Sequence, residues 1–294
     1  MFSIIIPTLH APLLHEAVAA AARQTARHLV REIIVVGQEP SGRVPAPARF
    51  VETSRPLAAG AARNLGARMA AGETLLFLDA DCIAAPDLVE RHAARHAAGH
   101  TVVGGGVVVE PAGYWTDCDN LLIFAPFLDS APSGPRPFLP SLNLSLRRAL
   151  FDALGGFDER FAGAAGEDTE LCLRLRAAGH QLFFAPEARV THRPQRTSAG
   201  AVFSHLRAYG RAHYRVQRQH PRLMPSPLGR LSPALAGAVL AAAPLLALVD
   251  ALRLLRAHPV LRRRPSALGG MAWAKLGWYW GAAEALMAHR SPPR

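Results

Sequence analysis

The stretch Thr74-Leu75-Leu76-Phe77-Leu78-Asp79-Ala80-Asp81 joins an apolar run to two carboxylates. A short apolar run that follows Gly72 and ends at charged residues predicts a buried strand. Asp79 and Asp81 stand two residues apart where the chain turns, so both can reach one hard cation such as Mg²⁺ or Mn²⁺. The same spacing also suits a solvent-exposed turn. The preceding strand favours a metal site, because α/β sheets bind ligands at the carboxyl ends of their strands.

Strands and helices alternate on both sides of this stretch. This alternation predicts an α/β fold with a parallel sheet and right-handed crossovers. Helical patterns cover residues 12–24, 58–71, 86–98 and 169–178. Short apolar runs typical of buried strands lie at residues 4–6, 32–36, 49–51, 102–109, 142–146, 182–184 and 189–191.

A second acidic pair, Glu167 and Asp168, begins a predicted helix. It follows the stretch Gly163-Ala164-Ala165-Gly166, a flexible turn that can present a carboxylate to a substrate. Acidic residues in the first turn of a helix also stabilise it, by about 0.3–1 kcal/mol each. Taken alone, this pair favours the structural role.

Six short segments within residues 1–195 occur in a distinctive order. They are Ser3-Ile4-Ile5-Ile6-Pro7-Thr8, Ala61-Ala62-Arg63-Asn64-Leu65-Gly66, Leu76-Phe77-Leu78-Asp79-Ala80-Asp81, Asn143-Leu144-Ser145-Leu146-Arg147-Arg148, Gly155-Gly156-Phe157-Asp158-Glu159 and Gly166-Glu167-Asp168-Thr169-Glu170-Leu171. Together they resemble the inverting family-2 glycosyltransferases, which have the nucleotide-diphospho-sugar transferase (GT-A) fold. Their joint order and spacing, more than any one segment, carry the resemblance.

The resemblance implies a glycosyltransferase catalytic domain with a GT-A, Rossmann-like fold, in which helices flank a mixed, mainly parallel sheet. Such an enzyme moves a sugar from a nucleotide-diphosphate donor to an acceptor hydroxyl and uses Mg²⁺ or Mn²⁺. Asp81 would hold the cation, with Asp79 beside it directly or through the nucleotide ribose. Asp168 stands at the position of the catalytic base, which takes the acceptor's proton. Glu167 and Asn143 belong to the acceptor-side segments.

The resemblance also implies a set of donor-side residues. His192 follows a predicted strand where related enzymes often place a metal-ligating histidine, and it equally suits a surface histidine. The family usually ends its second strand with an aspartate that hydrogen-bonds uracil, whereas here Gln38 follows Gly37. A glutamine amide can both donate and accept, so the donor base stays open. The predicted nucleotide-sugar-binding residues are Pro7, Thr8, Gln38, Arg63, Asn64 and Asp79.

The positive charge of the chain is concentrated in its last third. The net charge is +11, yet residues 1–192 contain 17 basic and 20 acidic residues, while residues 193–294 contain 16 and 2. We predict a basic helical region over residues 196–294, with apolar segments near 231–249 and 267–287. The first of these segments is uncharged and long enough to cross a bilayer.

Three arrangements suit this C-terminal region. A hairpin of two spans would export the basic loop between the apolar segments, against the positive-inside tendency. We therefore favour a re-entrant or interfacial helical pair on an anionic membrane surface, with the hairpin second and a soluble helical cap or dimer interface third. The start of the chain lacks the basic region of a secretory signal. We thus expect the enzyme at the cytoplasmic face of the membrane, acting on a lipid-linked or cell-envelope glycan.

Two other function classes stay open as alternatives. A sugar-phosphate nucleotidylyltransferase on a similar fold needs a glycine-rich, basic phosphate loop after its first strand, and Pro7-Thr8-Leu9-His10-Ala11-Pro12 lacks one. A nucleic-acid-binding protein would use the basic C-terminal region. Apolar runs of spanning length interrupt that region and no base-reading motif occurs in it, so we expect no nucleic acid as a partner.

Overall fold

The computed structural model describes residues 1–42, 44–161, 163 and 165–288. The chain forms two compact units, Met1–Glu110 with Phe127–Arg193, and Pro111–Pro126 with Pro194–Arg294. Ala164 of the predicted flexible turn and the last six residues of the predicted C-terminal region lie outside the described residues.

Helices and strands alternate through the first unit, and the second unit is helical. The strands are β1 (Phe2–Leu9), β2 (Val30–Gln38), β3 (Arg49–Glu52), β4 (Thr74–Leu78), β5 (Cys82–Ala84), β6 (Val102–Val108), β7 (Gly134–Pro135), β8 (Asn143–Arg147) and β9 (Leu182–His192). The helices are α1 (Leu14–Ala22), α2 (Ala59–Met69), α3 (Leu88–Ala97), α4 (Tyr114–Phe124), α5 (Arg148–Ala153), α6 (Glu167–Ala177), α7 (Ala199–Gln219), α8 (Ala236–Ala257), α9 (Pro259–Arg262) and α10 (Leu268–Ala288). The second unit contains α4 and α7 to α10.

The sheet of the first unit is mixed, as predicted. Its strand order is β3-β2-β1-β4-β8-β6-β9-β5, with β7 also paired to β9. The strands β3, β2, β1 and β4 run parallel to one another, and β6 runs parallel to β9. The strand β8 runs antiparallel to both β4 and β6, and the short strands β5 and β7 run antiparallel to β9. Parallel pairing therefore dominates only the N-terminal half of the sheet.

Close packing of α2 against the sheet explains the glycine of the second motif. Ile4, Ile5 and Ile6 of β1 are completely buried, as strands covered on both faces require. A Cβ atom on Gly66 of α2 would lie 2.6 Å from Cγ2 of Ile5. A glycine at this position lets the helix backbone approach β1, which fixes where the side chains of α2 meet the ends of the strands.

The two closing strands predicted at 182–184 and 189–191 are one strand, β9. The register of β6 against β9 shifts between Gly105 and Gly106, so that Gly105 pairs with Ala185 and Gly106 with Arg189. The three residues between these partners bulge out of the ladder, where a Cβ on Gly106 would overlap the Pro186 carbonyl oxygen. The sequence pattern predicts two separate strands because the apolar run stops at residue 184, and Pro186 lies in the bulge between them.

The division of the chain also differs from the single boundary predicted between residues 195 and 196. Residues Pro111–Pro126, predicted as part of the catalytic domain, belong to the helical unit. Their helix α4 packs against α10, where the Gly270 amide donates to the Tyr114 hydroxyl at 2.8 Å. The residues that α4 contacts in α10 lie far from it in the sequence, so local sequence patterns do not reveal the pairing.

Glycines allow the helices α7 and α10 of the second unit to pack very closely. A Cβ on Gly210 of α7 would overlap the Trp278 carbonyl oxygen, and one on Gly281 of α10 would overlap that of Arg207. Gly277 stands four residues before Gly281 and meets the Phe203 carbonyl in the same way. The spacing of small residues on one face of α10 is typical of helices whose backbones touch.

The helix α8 buries small apolar side chains and exposes large ones. Its buried positions include Ala243, Ala247 and Ala251, whereas Leu245 is 66% exposed and Leu248 42% exposed. Within the described part of the chain, only the helical segment Pro233–Ala257 is long and apolar enough to cross a membrane, with a mean hydropathy of 2.1. This helical segment contains most of the apolar segment predicted at residues 231–249.

Candidate active site

The acidic turn after β4 is brought against the end of β9. The strand β5 directly follows this turn and pairs Cys82 with His192. As a result His192 Nε2 lies 3.6 Å from Oδ2 of Asp81. The imidazole is buried, while the Asp79 and Asp81 side chains are about one-third exposed. Two predicted metal ligands, Asp81 and His192, therefore meet at a partly open edge of the sheet.

The donor atoms at this turn fit a divalent cation. The ligand atoms of Asp81, Cys82 and His192 all lie within 4.8 Å of one another. Burial, together with the adjacent acidic groups, raises the pKa of the Cys82 thiol well above its usual value. A buried, protonated thiol is a poor ligand for Mg²⁺ or Mn²⁺. The carboxylate and the imidazole are thus the fitting pair, with the remaining positions left for substrate oxygens and water.

Arg63 of α2 connects the acidic turn to the second acidic pair. Its Nη2 donates to Asp79 Oδ1 at 2.5 Å, and its Nη1 donates to Glu167 Oε1 at 3.0 Å. The arginine is 2% exposed. Burial by itself would lower the pKa of Arg63, but the carboxylates of Asp79 and Glu167 outweigh that effect and raise it. The guanidinium is therefore a permanent positive charge between two acidic segments.

Glu167 and Asp168 begin α6 in different surroundings. Glu167 is 3% exposed and its Oε2 has no hydrogen-bond partner, while Asp168 is partly exposed. The Asp168 carboxylate accepts from the backbone amides of Thr169 at 2.7 Å and Ser141 at 3.3 Å. Burial raises the pKa of Glu167 and of Asp168, and the neighbouring carboxylate adds to the rise at Glu167. Of the pair, Asp168 is the carboxylate that a bound molecule can reach.

A comparison with protein-family models decides the family. The model described as "Glycosyl transferase family 2" matches residues 3–155, just over half of the chain. The chain belongs to glycosyl transferase family 2. A second model, described as the N-terminal domain of galactosyltransferase, matches residues 135–196 of this family-2 chain.

Individual relatives agree with this assignment. Validoxylamine A glucosyltransferase of Streptomyces hygroscopicus subsp. jinggangensis (strain 5008) is 29% identical over 266 residues, which are 76% of this chain and 62% of that protein. The O-antigen biosynthesis protein RfbC of Myxococcus xanthus is 34% identical over 152 residues, 45% of this chain and 12% of that protein. The family-2 chain thus spans about three-fifths of the length of the first relative.

A solved structure supports the GT-A fold. The mannosyltransferase PcManGT from Pyrobaculum calidifontis, solved in complex with GDP-Man and Mn²⁺, superposes with a TM-score of 0.57 at 19% identity. The superposition covers 95% of this chain and 87% of that one. At this identity the likeness concerns the fold alone.

Three of the six predicted donor-side residues, Pro7, Thr8 and Gln38, lie towards the ends of β1 and β2. Pro7 pairs with Val36 and Thr8 with Gly37, so the two strand ends stand side by side. The buried Thr8 hydroxyl has no hydrogen-bond partner. Gln38 donates from Nε2 to the Thr53 carbonyl at 3.1 Å. The strand ends therefore bring together Pro7, Thr8 and Gln38, and they leave the Thr8 hydroxyl unpartnered.

The two asparagines predicted at the site have their polar groups occupied. Asn64 accepts from the Phe157 amide at 2.8 Å and donates to the Phe157 carbonyl and to Glu159, both at 2.9 Å. Asn143 is completely buried and donates to the Ala188 carbonyl at 2.8 Å. The Asn143 Oδ1 lies 2.8 Å from His92 Nε2. Both amides hold neighbouring segments of the fold in place.

Two features of the site were not predicted from the sequence. One is the Ser141 amide, which lies just before the Asn143 motif and holds the Asp168 carboxylate. The other is the bridge from Arg63 to Glu167. The motif containing Arg63 was a signal for the second feature, because a buried arginine needs a carboxylate partner. No local pattern identifies which one.

Proposed function

We propose that this protein is an inverting, divalent-cation-dependent glycosyltransferase that moves a sugar from a nucleotide-diphosphate donor to an acceptor hydroxyl. The observation that carries the proposal is the bridge formed by Arg63, which hydrogen-bonds Asp79 of the acidic turn and Glu167 beside Asp168. A donor held at the turn and a base on α6 would then both lie within reach of one acceptor.

The donor side uses the acidic turn and the ends of β1 and β2. Asp81 and His192 are the cation ligands, and the imidazole favours Mn²⁺ over Mg²⁺, which prefers oxygen. A bound divalent cation would neutralise the charge that develops on the leaving diphosphate. Thr8 and Gln38, at the adjacent ends of β1 and β2, would contact the nucleoside. The Mn²⁺ and GDP-Man of the similar mannosyltransferase support this class of donor and cation.

On the acceptor side, Asp168 is the general base. The acceptor oxygen attacks the anomeric carbon and gives its proton to Asp168, while the bond to the diphosphate breaks and its electron pair leaves with the diphosphate. A raised pKa brings this carboxylate closer to the pH at which it works, which favours proton transfer. Glu167 is a positioning residue, because it is buried and paired with Arg63. One displacement inverts the anomeric configuration.

The acceptor we propose is a lipid-linked or cell-envelope glycan at the cytoplasmic face of an anionic membrane. The match to an O-antigen biosynthesis protein and the exposed apolar face of α8 support this acceptor and this location. A second candidate is a small soluble acceptor, which the name of the similar validoxylamine A glucosyltransferase favours. In either case the first unit is the catalytic domain and the second unit provides membrane attachment.

The family assignment favours this proposal over the nucleotidylyltransferase and nucleic-acid-binding alternatives. Several arginines of the basic region also have acidic partners within the second unit, so the region offers less free charge than its composition indicates. The ion pairs join Arg196 to Asp119, Arg207 and Arg211 to Glu284, and Arg264 to Asp117.

A donor screen tests the proposed reaction. Purified protein with Mn²⁺ or Mg²⁺ would be given UDP-, GDP- and TDP-sugars, and the release of nucleoside diphosphate measured with and without lipid-linked and soluble acceptors. We expect release with one donor base, dependent on the cation and increased by the acceptor. Inversion is read from the anomeric configuration of the product by NMR. Release that is unaffected by EDTA would contradict the cation requirement.

A further inference from the structure

The second unit contains a cavity at the C-terminal end of α8 that takes no part in the proposed transfer. The cavity has a volume of about 260 Å³ and is lined by Asp250, Arg253, Leu254, Ala257 and Lys275. Lys275 is the only lysine in the chain, and it lies in the otherwise largely apolar helix α10. Placing a strongly hydrated ammonium group in such a helix costs free energy unless the group has a partner of opposite charge.

The charges around this cavity are not balanced by the residues that line it. Lys275 Nζ lies 4.0 Å from Asp250 Oδ2, beyond hydrogen-bond distance, and that oxygen already accepts from the Tyr279 hydroxyl at 2.8 Å. Arg253 Nη1 lies 3.6 Å from the other carboxylate oxygen. Lys275 also stands 5.6 Å from the centre of the Trp278 ring. Two cations therefore share one carboxylate, and Lys275 makes no hydrogen bond within the described part of the chain.

The position of the cavity along α8 indicates what kind of anion would reach it. The chain from Leu231 to Val249 is uncharged, and its leucines at 245 and 248 are exposed. Asp250 and Arg253 follow directly, and Arg256 lies one turn beyond them. If the exposed leucines contact lipid tails, the cavity lies at the level of the headgroups.

We propose that this cavity binds the phosphate group of an anionic lipid. Lys275 and Arg253 donate to the phosphate oxygens, and Asp250, held by Tyr279, keeps the two cations directed at the cavity. The proposal rests on the membrane attachment described above and needs nothing of glycosyl transfer. It assigns to the second unit a headgroup site in addition to a general attraction of basic residues to the bilayer.

Binding of the full chain to lipid vesicles tests the proposal. The vesicles consist of phosphatidylcholine, with or without phosphatidic acid, and bound protein is measured by co-sedimentation. Arg253→Gln and Lys275→Gln change the cavity, whereas Arg222→Gln removes the same charge from another exposed arginine of the second unit. Arg253 is 76% exposed, so its replacement tests the site without disturbing the packed helices.

We expect all variants to bind phosphatidylcholine vesicles equally. The extra affinity from phosphatidic acid should fall about 10–100-fold in the two cavity variants, the cost of losing a hydrogen bond to a charged group. The Arg222→Gln control should lose about fivefold or less, the effect of one charge near the surface. Equal losses in all three variants would overturn the site and leave only a diffuse attraction.

Inorganic phosphate distinguishes a lipid headgroup from a free anion. If calorimetry shows phosphate binding that Arg253→Gln abolishes, while the vesicle affinities of the cavity variants match that of the control, the ligand is a free phosphate and the lipid proposal is wrong. A chain that binds neither kind of vesicle would overturn the membrane attachment and this inference together. A negative donor screen would instead overturn glycosyl transfer alone.

Discussion

Arg63 Nη1 lies 3.0 Å from Glu167 Oε1, and both side chains are almost completely buried. The two residues are 104 positions apart in the chain. Because the same guanidinium also contacts Asp79, α2 connects the two acidic segments on which the proposed chemistry depends. A buried pair of this kind contributes to the geometry of a site even where its net contribution to stability is small.

Breaking this buried pair should destabilise the protein strongly. Arg63→Met leaves Glu167 buried without its partner, and the expected loss is about 3–5 kcal/mol in the free energy of unfolding, measured by urea denaturation. Replacing both residues, Arg63→Met with Glu167→Leu, should recover part of this loss. The exposed pair Arg91–Asp87 supplies the control, since Arg91→Met should cost less than about 1 kcal/mol. Equal costs for Arg63→Met and Arg91→Met would contradict the proposed role.

Asp168→Asn should lower turnover about 10²–10⁴-fold, the usual contribution of a general base. The amide keeps the shape of the side chain but does not accept the acceptor's proton. Donor binding, measured by calorimetry with Mn²⁺ present, should change little. Asp152→Asn makes the same change at an exposed carboxylate of the first unit and should have no effect. Glu167 would be the base instead if Glu167→Gln abolished turnover while Asp168→Asn retained it.

Removal of a cation ligand should uncouple donor binding from the metal. Asp81→Asn should abolish the increase in donor affinity that Mn²⁺ produces. His192→Gln should weaken Mn²⁺ binding by at least about 10–100-fold. This is the usual loss when only a hydrogen-bond partner of a metal ligand is removed, and here the ligand itself is replaced. Cys82→Ala should leave Mn²⁺ affinity unchanged, because the buried thiol is protonated. Full activity of Asp81→Ala in excess EDTA would refute the cation site.

Acid should destabilise the protein through two buried histidines of α3. Burial lowers the pKa of His92 and of His96 to about 4, from 6.5. Between these values the unfolded chain binds more protons, so the stabilising contribution of each neutral ring is complete above pH 6.5 and decreases as the pH falls towards 4. The loss at pH 5 is on the order of 2 kcal/mol for each ring.

Denaturant unfolding at pH 7 and pH 5 measures this effect. His96→Gln can keep a hydrogen bond to Ser145, which lies 2.7 Å from His96 Nε2, and should reduce the difference in stability between the two pH values. His15→Gln, at an exposed position, should leave that difference unchanged. An identical pH dependence in wild type and His96→Gln would show that the buried rings do not control it.

The exposed leucines of α8 should be required for membrane attachment. Leu245→Gln combined with Leu248→Gln should move the full chain from the membrane pellet to the soluble fraction, because it removes apolar area that would contact lipid. Leu223→Gln, at an exposed leucine outside α8, is the control and should not change the distribution. Release of the wild-type chain by carbonate would favour an interfacial helix, and a wild-type chain that stays soluble at physiological salt would refute the attachment.

Local sequence patterns were sufficient to predict the strand before the acidic turn and the helix that precedes this strand. The run at residues 74–78 coincides with β4, and the predicted helix at 58–71 contains α2. Local patterns did not predict β5, because its three residues are too few to show any periodicity. They did not predict α4 either. The membership of α4 in the second unit depends on its contacts with α10, more than 140 positions further along the chain.

The sequence by itself determined the class of chemistry. The order of the motifs, the acidic turn after an apolar run and the uneven distribution of charge can all be read from the order of residues along the chain, without knowing how they pack. Only the tertiary structure decided that His192 meets Asp81, that Glu167 is paired with Arg63, and that Asp168 is the carboxylate left accessible. These outcomes depend on burial and on side chains that come from distant parts of the chain. The free energy of a charge depends on which groups surround it, and that is settled only when the strands and helices pack.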